Sequence, residues 1–307
     1  MSAGWVAGST RARLLLDRRI GAGEARSVAR ARDLEDALAR LAGTAYAGAA
    51  AASPALEDAQ RAVASVLLLE LRLLLGWLPR GCSELVRSLG AWFELVNVED
   101  RLAYLRGSPL LPAFELGALA SAWPRAAGAA SPAELREALR TSVWADPGGD
   151  DEATMLLGLR LAWARRIQAQ VPEARAWVGG ALALTAARGL AVGSRALREA
   201  RSTALRDLGD DWRDAETLGE LRRSLPPRAG WVLAGAGDTL QPWELEAAWW
   251  QRVGSDAEVL ARAAREGRAV VVGAVALLAL DATRVAAALA AAAAASEPAR
   301  EVVDALL

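Results

Sequence analysis

Helix-start signals recur along this chain, and they constrain its fold more than any other feature. Asp33 precedes two further acids, and apolar residues then follow at helical spacing. Ser131 is followed by Pro132 and, three residues on, by Glu134. This is the pattern of a capping box that opens a helix. Residues 255–258 (SDAE) have the same Ser-x-x-Glu pattern and predict a second helix start of this kind.

Strand signals, by contrast, are nearly absent. β-branched residues at alternating positions occur only around residues 231–233 and 270–272, and alanines surround the second run. Glycine and proline breaks divide the remaining chain into intervals that suit one or two helices each. The sequence therefore predicts an all-α fold.

Histidine and lysine are missing from this chain, and their absence excludes many catalytic mechanisms. The chain has no histidine, all 36 of its basic residues are arginine, and Cys82 is its single cysteine. A Walker phosphate loop, Schiff-base lysine chemistry, histidine-assisted nucleophiles, cysteine–histidine zinc sites and an internal disulfide are thus excluded. Carboxylate pairs, Mg²⁺ held by carboxylates, and tyrosine or arginine chemistry stay open. The acid groups at residues 150–152 and 207–211 lack a calcium-loop spacing, and we expect no catalytic, cofactor or metal site.

Charge and hydropathy point away from nucleic acids and from the membrane interior. The formal net charge is −1, and acids accompany the arginines throughout, so the basic excess of a nucleic-acid-binding protein is lacking. Asp281 and Arg284 interrupt the most apolar stretch, residues 269–295, whereas a membrane span needs roughly 20 uninterrupted apolar residues. The first residues lack a basic start followed by an apolar run. We expect buried helices, no signal peptide and no membrane span.

Residues 91–109 carry polar side chains where a buried helix would carry apolar ones. Glu94, Asn97 and Arg101 lie at i, i+3 and i+7, which places them on one stripe of a helix, and Asn97 is the only asparagine of the chain. We expect a buried network that fixes helices at set angles, with Arg101 pairing either with Glu94 or with another helix. A partly exposed face with ordinary charges and a functional site are the alternatives.

Motifs along the chain follow an order that resembles a known family. An Arg-x-Arg-Leu helix comes first, a helix ending Leu-x-x-Thr-x-Tyr follows, and a later helix carries an acid, then asparagine, then a basic residue before glycine. The matching residues in this chain are Arg11, Arg13, Leu41, Thr44, Tyr46, Glu94, Asn97, Val98, Leu102, Arg106 and Gly107. Asp281, Arg284 and Val285 repeat the spacing of Glu94, Asn97 and Val98 near the C-terminus. This pattern resembles the C subunits of the prokaryotic V-type ATPases, whose eukaryotic counterparts are the d subunits.

The resemblance implies three pseudo-equivalent helical repeats that form a funnel-like body. We place these repeats at residues 1–110, 111–195 and 196–307. In the second repeat the signature is expected near residues 176–188, where this chain has neither an acid nor asparagine. In the third, Arg284 stands where the family has asparagine.

The resemblance also implies a function. A protein of this family is a non-catalytic central-stalk subunit of a rotary ATPase that transports protons or sodium ions. It binds the axle subunits and the membrane ring on the cytoplasmic side and needs no cofactor. A helical scaffold that has diverged from the family is the first alternative, and an enzyme that uses carboxylates, with or without Mg²⁺, is the second.

Overall fold

The chain folds into two compact helical units. Unit 1 comprises Met1–Ser83 and Glu246–Leu307, and unit 2 comprises Glu84–Leu245. Every regular element in the described part of the chain is a helix, which confirms the all-α prediction. The computed structural model describes residues 3–50, 55–191, 193–194, 212, 214–235, 242–263 and 265–307.

The α-helices of the described residues follow one another along the chain with short connections. They are α1 (Ala3–Leu16), α2 (Gly21–Ala29), α3 (Leu34–Leu41), α4 (Ala47–Ala50), α5 (Leu56–Leu75), α6 (Ser83–Leu105), α7 (Trp123–Ala126), α8 (Pro132–Arg140), α9 (Glu152–Gln170), α10 (Arg175–Ala191), α11 (Leu218–Ser224), α12 (Pro227–Gly230), α13 (Pro242–Ala261), α14 (Arg268–Ala294) and α15 (Glu297–Leu306). Short 3₁₀ turns lie at Arg80–Cys82, Gly117–Leu119, Pro172–Ala174 and Trp231–Leu233.

Helix α14 is the centre of unit 1. It packs against α1, α2, α3, α5 and α15. Its alanines and its single glycine let neighbouring backbones approach closely, and a Cβ at Gly273 would lie 2.5 Å from the carbonyl oxygen of Ala257 on α13. The helix is long and apolar enough to cross a membrane, but 72% of its most apolar window is buried inside the protein. It therefore serves as the core helix of this unit.

Unit 2 has its own hydrophobic core. Leu95 and Leu102 of α6 pack there with Leu139 of α8, with Trp144 and with Met155 of α9, all of them almost completely buried. Helix α10 lies beside α9, α11 and α12. The apolar stripes of α6, α8 and α9 thus meet in one cluster, as their helical periodicity requires.

Two predicted helix starts are confirmed. The Asp33 carboxylate accepts a hydrogen bond from Asp36 N (2.8 Å) at the start of α3. The Ser131 hydroxyl accepts one from Glu134 N (3.2 Å) at the start of α8, and Glu134 Oε2 accepts one from Ala130 N (2.9 Å). These side chains satisfy N–H groups that have no partner within their own helix.

The predicted capping box at residues 255–258 is wrong, because this segment lies inside α13. Val253, Ala257 and Ala261 are buried, so the apolar face of the helix continues through the segment. Asp256 pairs with Arg252 one turn earlier (2.9 Å) instead of capping. Packing has overridden the local start signal. The two strand candidates are also helical, residues 270–272 in α14 and residues 231–233 in a 3₁₀ turn.

The two units do not follow the predicted repeat boundaries. The change from unit 1 to unit 2 falls at residues 83 and 84, within the first predicted repeat, and unit 1 is completed by the C-terminal segment from Glu246. The division into residues 1–110, 111–195 and 196–307 stays a prediction.

Helix packing makes a prediction at Gly158 of α9. A Cβ there would overlap the Pro147 carbonyl group, which is backbone and cannot rotate away. We expect Gly158→Ala to destabilise the protein by about 1–3 kcal/mol, the usual cost of overpacking. Gly23→Ala on α2 is the matched control, because a Cβ there meets nothing within 4 Å. This control should stabilise by about 0.5–1 kcal/mol. Urea unfolding measures both, and a stabilised Gly158→Ala would contradict the packing.

Candidate functional site

Glu94 of α6 is completely buried and binds the start of another helix. Its Oε1 accepts hydrogen bonds from the backbone N–H groups of Ser121 (2.7 Å), Ala122 (2.8 Å) and Trp123 (2.8 Å). Its Oε2 accepts from the Ser121 hydroxyl and from Trp144 Nε1 (2.7 Å). Helix α7 begins at Trp123, so a carboxylate lies against N–H groups that have no partner within that helix. Five donors surround this one side chain.

Asn97 binds the backbone of a single residue in both directions. Its Nδ2 donates to the Phe114 carbonyl oxygen (2.9 Å), and its Oδ1 accepts from Phe114 N (2.7 Å). The ring of Phe114 packs edge-on against Phe93 of α6, with 5.2 Å between centroids. Asparagine is suited to this position because its amide is both donor and acceptor.

Arg101 binds the loop between α7 and α8. Its Nε and Nη2 donate to the Ala129 carbonyl oxygen at 3.1 and 2.5 Å, and its guanidinium lies 5.0 Å from the centre of the Tyr104 ring. The partner is thus a loop carbonyl and neither of the two expected partners, Glu94 or another helix. Glu94, Asn97 and Arg101 bind three different points of the segment that follows α6. The expectation of a buried network is confirmed for Glu94 and Asn97.

Asp281 of α14 plays the same part in unit 1. It is 2% exposed, and it accepts from Gly21 N (2.9 Å), Ile20 N (3.2 Å) and the Tyr46 hydroxyl (2.9 Å). Helix α2 begins at Gly21, so this carboxylate also lies at a helix start beside an aromatic donor. Burial and the charge of Asp281 raise the pKa of Tyr46 well above its ordinary value, so the hydroxyl keeps its proton.

Arg284 occupies the position three residues after Asp281. Its Nε and Nη2 donate to the carbonyl oxygens of Leu306 (2.8 Å) and Leu307 (3.2 Å) at the end of α15. Burial lowers the pKa of Arg284, and the nearby Asp281 opposes that shift. Asn97 and Arg284 therefore both bind backbone outside their own helix. Arginine has donors alone, which suits the carbonyl groups at a helix end.

Thr44 explains the Leu-x-x-Thr-x-Tyr motif. Its hydroxyl donates to the Leu41 carbonyl oxygen (2.8 Å) and accepts from Tyr46 N (3.1 Å), which shapes the turn after α3. That turn brings the Tyr46 hydroxyl to Asp281. Leu41, Thr44 and Tyr46 of the motif are thus linked by hydrogen bonds in one turn, which leads to Asp281.

The remaining signature arginines lie elsewhere. Arg13 donates to the Ala263 carbonyl oxygen (3.1 Å) and pairs with Glu266 (3.6 Å). Arg106 forms an exposed pair with Glu152 (3.4 Å), away from the buried network of α6. The Nε atom of Arg11 is buried and has no hydrogen-bond partner among the described residues.

The middle signature segment, residues 176–188, lies on α10. Ala176 and Trp177 match Ala91 and Trp92 in sequence, so Gly179 stands where α6 has Glu94. A Cβ at Gly179 would lie 2.7 Å from the Arg228 carbonyl oxygen of α12. At this position α10 therefore packs closely on the backbone of α12.

Sequence reasoning missed a buried acid, Glu70 of α5, and a partly buried arginine, Arg166 of α9. Glu70 is 5% exposed, and burial, with the charge of Asp281, raises the pKa of its carboxyl to about 7. Arg166 lies over the Trp144 ring (5.7 Å), and its burial lowers the pKa of its guanidinium. An acid inside the apolar run VLLLELRLLL was the signal that could have identified Glu70.

The acid groups considered for metal binding have other roles where they are described. Asp151 caps α9 by accepting from Thr154 N (3.0 Å), and Glu152 pairs with Arg106. Residues 207–211 lie outside the described part. Across the residues that the structure describes, no group of three His, Cys, Asp or Glu side chains could hold a metal ion.

Comparisons with known proteins add no family. Neither the models of known protein families nor the curated protein sequences contain a match to this chain. The resemblance to the V-type ATPase protein therefore depends on the motifs alone and stays a prediction.

The donors around Glu94 predict a large effect of removing its charge. Glu94→Gln keeps the size of the side chain but places an NH₂ group against either the backbone N–H donors or the Trp144 indole donor. We expect a loss of about 1.5–3 kcal/mol in unfolding free energy, as for other hydrogen bonds to charged groups. Glu99→Gln on the same helix is the matched control. It removes only a partly exposed pair with Arg160 (3.4 Å), worth about 0–1 kcal/mol. Equal losses in urea unfolding would contradict the buried site.

Asn97 gives a second prediction. Asn97→Leu removes both hydrogen bonds to Phe114 and leaves its backbone N–H and carbonyl buried without them. We expect a loss of about 1–3 kcal/mol, seen as a lower melting temperature in circular dichroism. Asn97→Asp, which keeps an acceptor for Phe114 N, should restore part of that loss. A melting temperature equal to that of the wild type would show that this contact adds no stability.

Proposed function

We propose that this protein is a non-catalytic central-stalk component of a rotary V-type ATPase, linking axle subunits to the membrane ring. One observation carries the proposal. In each unit an acid of a long buried helix binds the start of a neighbouring helix, and the polar residue three positions on binds backbone elsewhere. Glu94 with Asn97, and Asp281 with Arg284, are the residues that the family resemblance selects.

The chemistry of these acids supports a structural role. The carboxylate oxygens of Glu94 and Asp281 accept hydrogen bonds from backbone and aromatic donors of the protein itself. Such bonds fix the angle between two helices, because breaking one leaves a buried polar group unpaired at a cost of about 1–3 kcal/mol. A body that transmits torque needs helices held in this way, since a compliant body would absorb the rotation.

The proposal defines the partners. The axle subunits and the ring would bind on the cytoplasmic side. We also propose that the chain forms a funnel-like body of three helical repeats. Arginine is the only cation of the chain, so contacts with acidic loops of the ring would use its planar fork, which suits bidentate binding of carboxylates. Exposed contacts of this kind are screened beyond about 8–10 Å at physiological salt.

A diverged helical scaffold without an ATPase is the second candidate. Gly179 favours it, because glycine and close backbone packing replace the acid of the middle signature. Genome neighbourhood separates the two candidates: a coupling protein should be encoded beside the catalytic, axle and ring subunits.

Co-purification tests the proposal directly. We expect the tagged chain to retain the axle and ring subunits of its own organism at low salt. Raising the salt should release the ring before the axle, because exposed arginine contacts are screened more strongly than a buried contact. Glu99→Gln, which changes only a surface pair on α6, should retain both partners.

The co-purification experiment needs a control for non-specific binding. The Asn97→Leu chain, heated until circular dichroism shows it unfolded, should retain neither partner, and proteins bound to it would be bound non-specifically. If the folded wild-type chain retains neither partner at low salt, the coupling role is wrong and the scaffold is the better account.

A further inference from the structure

Glu70 is a buried carboxyl with a poor set of partners. It lies on α5 within an apolar run and is 5% exposed. Its ion pair in the described part of the chain is with Arg18, whose Nη1 lies 3.9 Å from Glu70 Oε1. That separation exceeds hydrogen-bond length, and the Arg18 side chain is half exposed to solvent. A charge on Glu70 is therefore weakly compensated.

The second buried acid of unit 1 is in the opposite situation. Asp281 accepts three hydrogen bonds, from Ile20 N, Gly21 N and the Tyr46 hydroxyl. Its negative charge acts on Glu70 and disfavours a second charge there. Burial and this neighbouring charge both raise the pKa of Glu70.

The titratable groups near Glu70 come from α1, from α14 and from the turns after α1 and before α4. Arg11 of α1 and Arg18 of the turn after it favour the ionised form, whereas Asp281 of α14 opposes it. Tyr46, in the turn before α4, interacts with both acids. Helix α4, which also packs on α5, consists of alanine and glycine and contributes no titratable group.

We propose that Glu70 is a proton-binding switch that makes the packing of α1 on α5 depend on pH near neutrality. When neutral, the carboxyl fits its buried position. When ionised, it must draw Arg18 and Arg11 inward or turn toward solvent, and either movement disturbs the contact between α1 and α5. The switch is independent of the proposed ATPase role, because it rests on contacts within unit 1.

The direction of the effect follows from the two protonation states. Burial, aided by Asp281 and opposed by Arg18 and Arg11, raises the pKa of Glu70 from 4.5 to about 7. A raised pKa in the folded state adds stability that is fully present below 4.5 and is lost as the pH rises through about 7. The folding equilibrium constant should fall on the order of tenfold to a hundredfold between about pH 5 and pH 8.

The amino-acid composition simplifies the interpretation of stability changes in this pH range. The chain has no histidine, the side chain that ordinarily titrates between about pH 5 and 8. A loss of stability between about pH 4.5 and 7 therefore points to a carboxyl whose pKa is raised in the folded state.

Urea unfolding of the full chain across this pH range is the test. Wild type should lose stability as the pH rises, and Glu70→Gln should keep nearly constant stability because its amide does not titrate. Glu57→Gln, which changes an exposed acid of the same helix, is the matched control and should behave like wild type. Equal pH dependence in wild type and Glu70→Gln would overturn the proposal.

Two further measurements use the wild-type chain, so they do not depend on the folding of a variant. The ¹³C shift of the Glu70 carboxyl should titrate near neutral pH, and titration near 4.5 would overturn the proposal. Hydrogen exchange of α1 amides, corrected for intrinsic rates, should show lower protection at high pH. Unchanged protection of α1 across the titration would also overturn it, because the switch acts on that helix.

Discussion

The structure depends on one kind of interaction, a buried carboxylate that accepts hydrogen bonds from the N–H groups at a helix start. These groups have no partner within their own helix, and burying them without one is costly. A carboxylate satisfies several at once, and its negative charge suits the positive end of the helix dipole. At Glu94 the charge is balanced by backbone, hydroxyl and indole donors. Residues 121–123 are thereby held against α6, although they lie 27 to 29 positions after Glu94 in the chain.

The same interaction recurs in unit 1 with different residues. Asp281 replaces glutamate, and Tyr46 replaces tryptophan as the aromatic donor. Thr44 sets the turn that brings Tyr46 to the acid, so the feature that the two units share is a pattern of donors and not a set of residue types. At Gly179 the pattern is absent, and close contact with α12 takes its place. Helices can thus be joined through a polar bond or through direct backbone packing, and alanine-rich helices allow both.

The sequence was sufficient for part of this account. Helical periodicity and the caps at Asp33 and Ser131 predicted helices correctly, because those signals act within a few residues. The stripe of Glu94 and Asn97 predicted a buried network, since polar side chains on an apolar helix need partners. The partners were beyond reach, because Trp144 lies 50 residues from Glu94 and a single sequence carries no pairing information. The cap predicted at residues 255–258 failed for a related reason: burial of Val253 and Ala257 continues the helix through a local start signal.

Glu70 was missed because an acid in an apolar helix is ordinarily assigned to a solvent-facing position. Its burial shows how environment separates residues of one type. Glu94 meets donors that are fixed in the backbone and favour a carboxylate, whereas Glu70 meets an arginine at 3.9 Å and the charge of a second acid. The first arrangement gives a rigid joint, and the second gives a group whose charge depends on pH. A chain without histidine can respond to pH near neutrality through a carboxyl whose pKa is raised. Burial and the charge of Asp281 raise the pKa of Glu70 in this way.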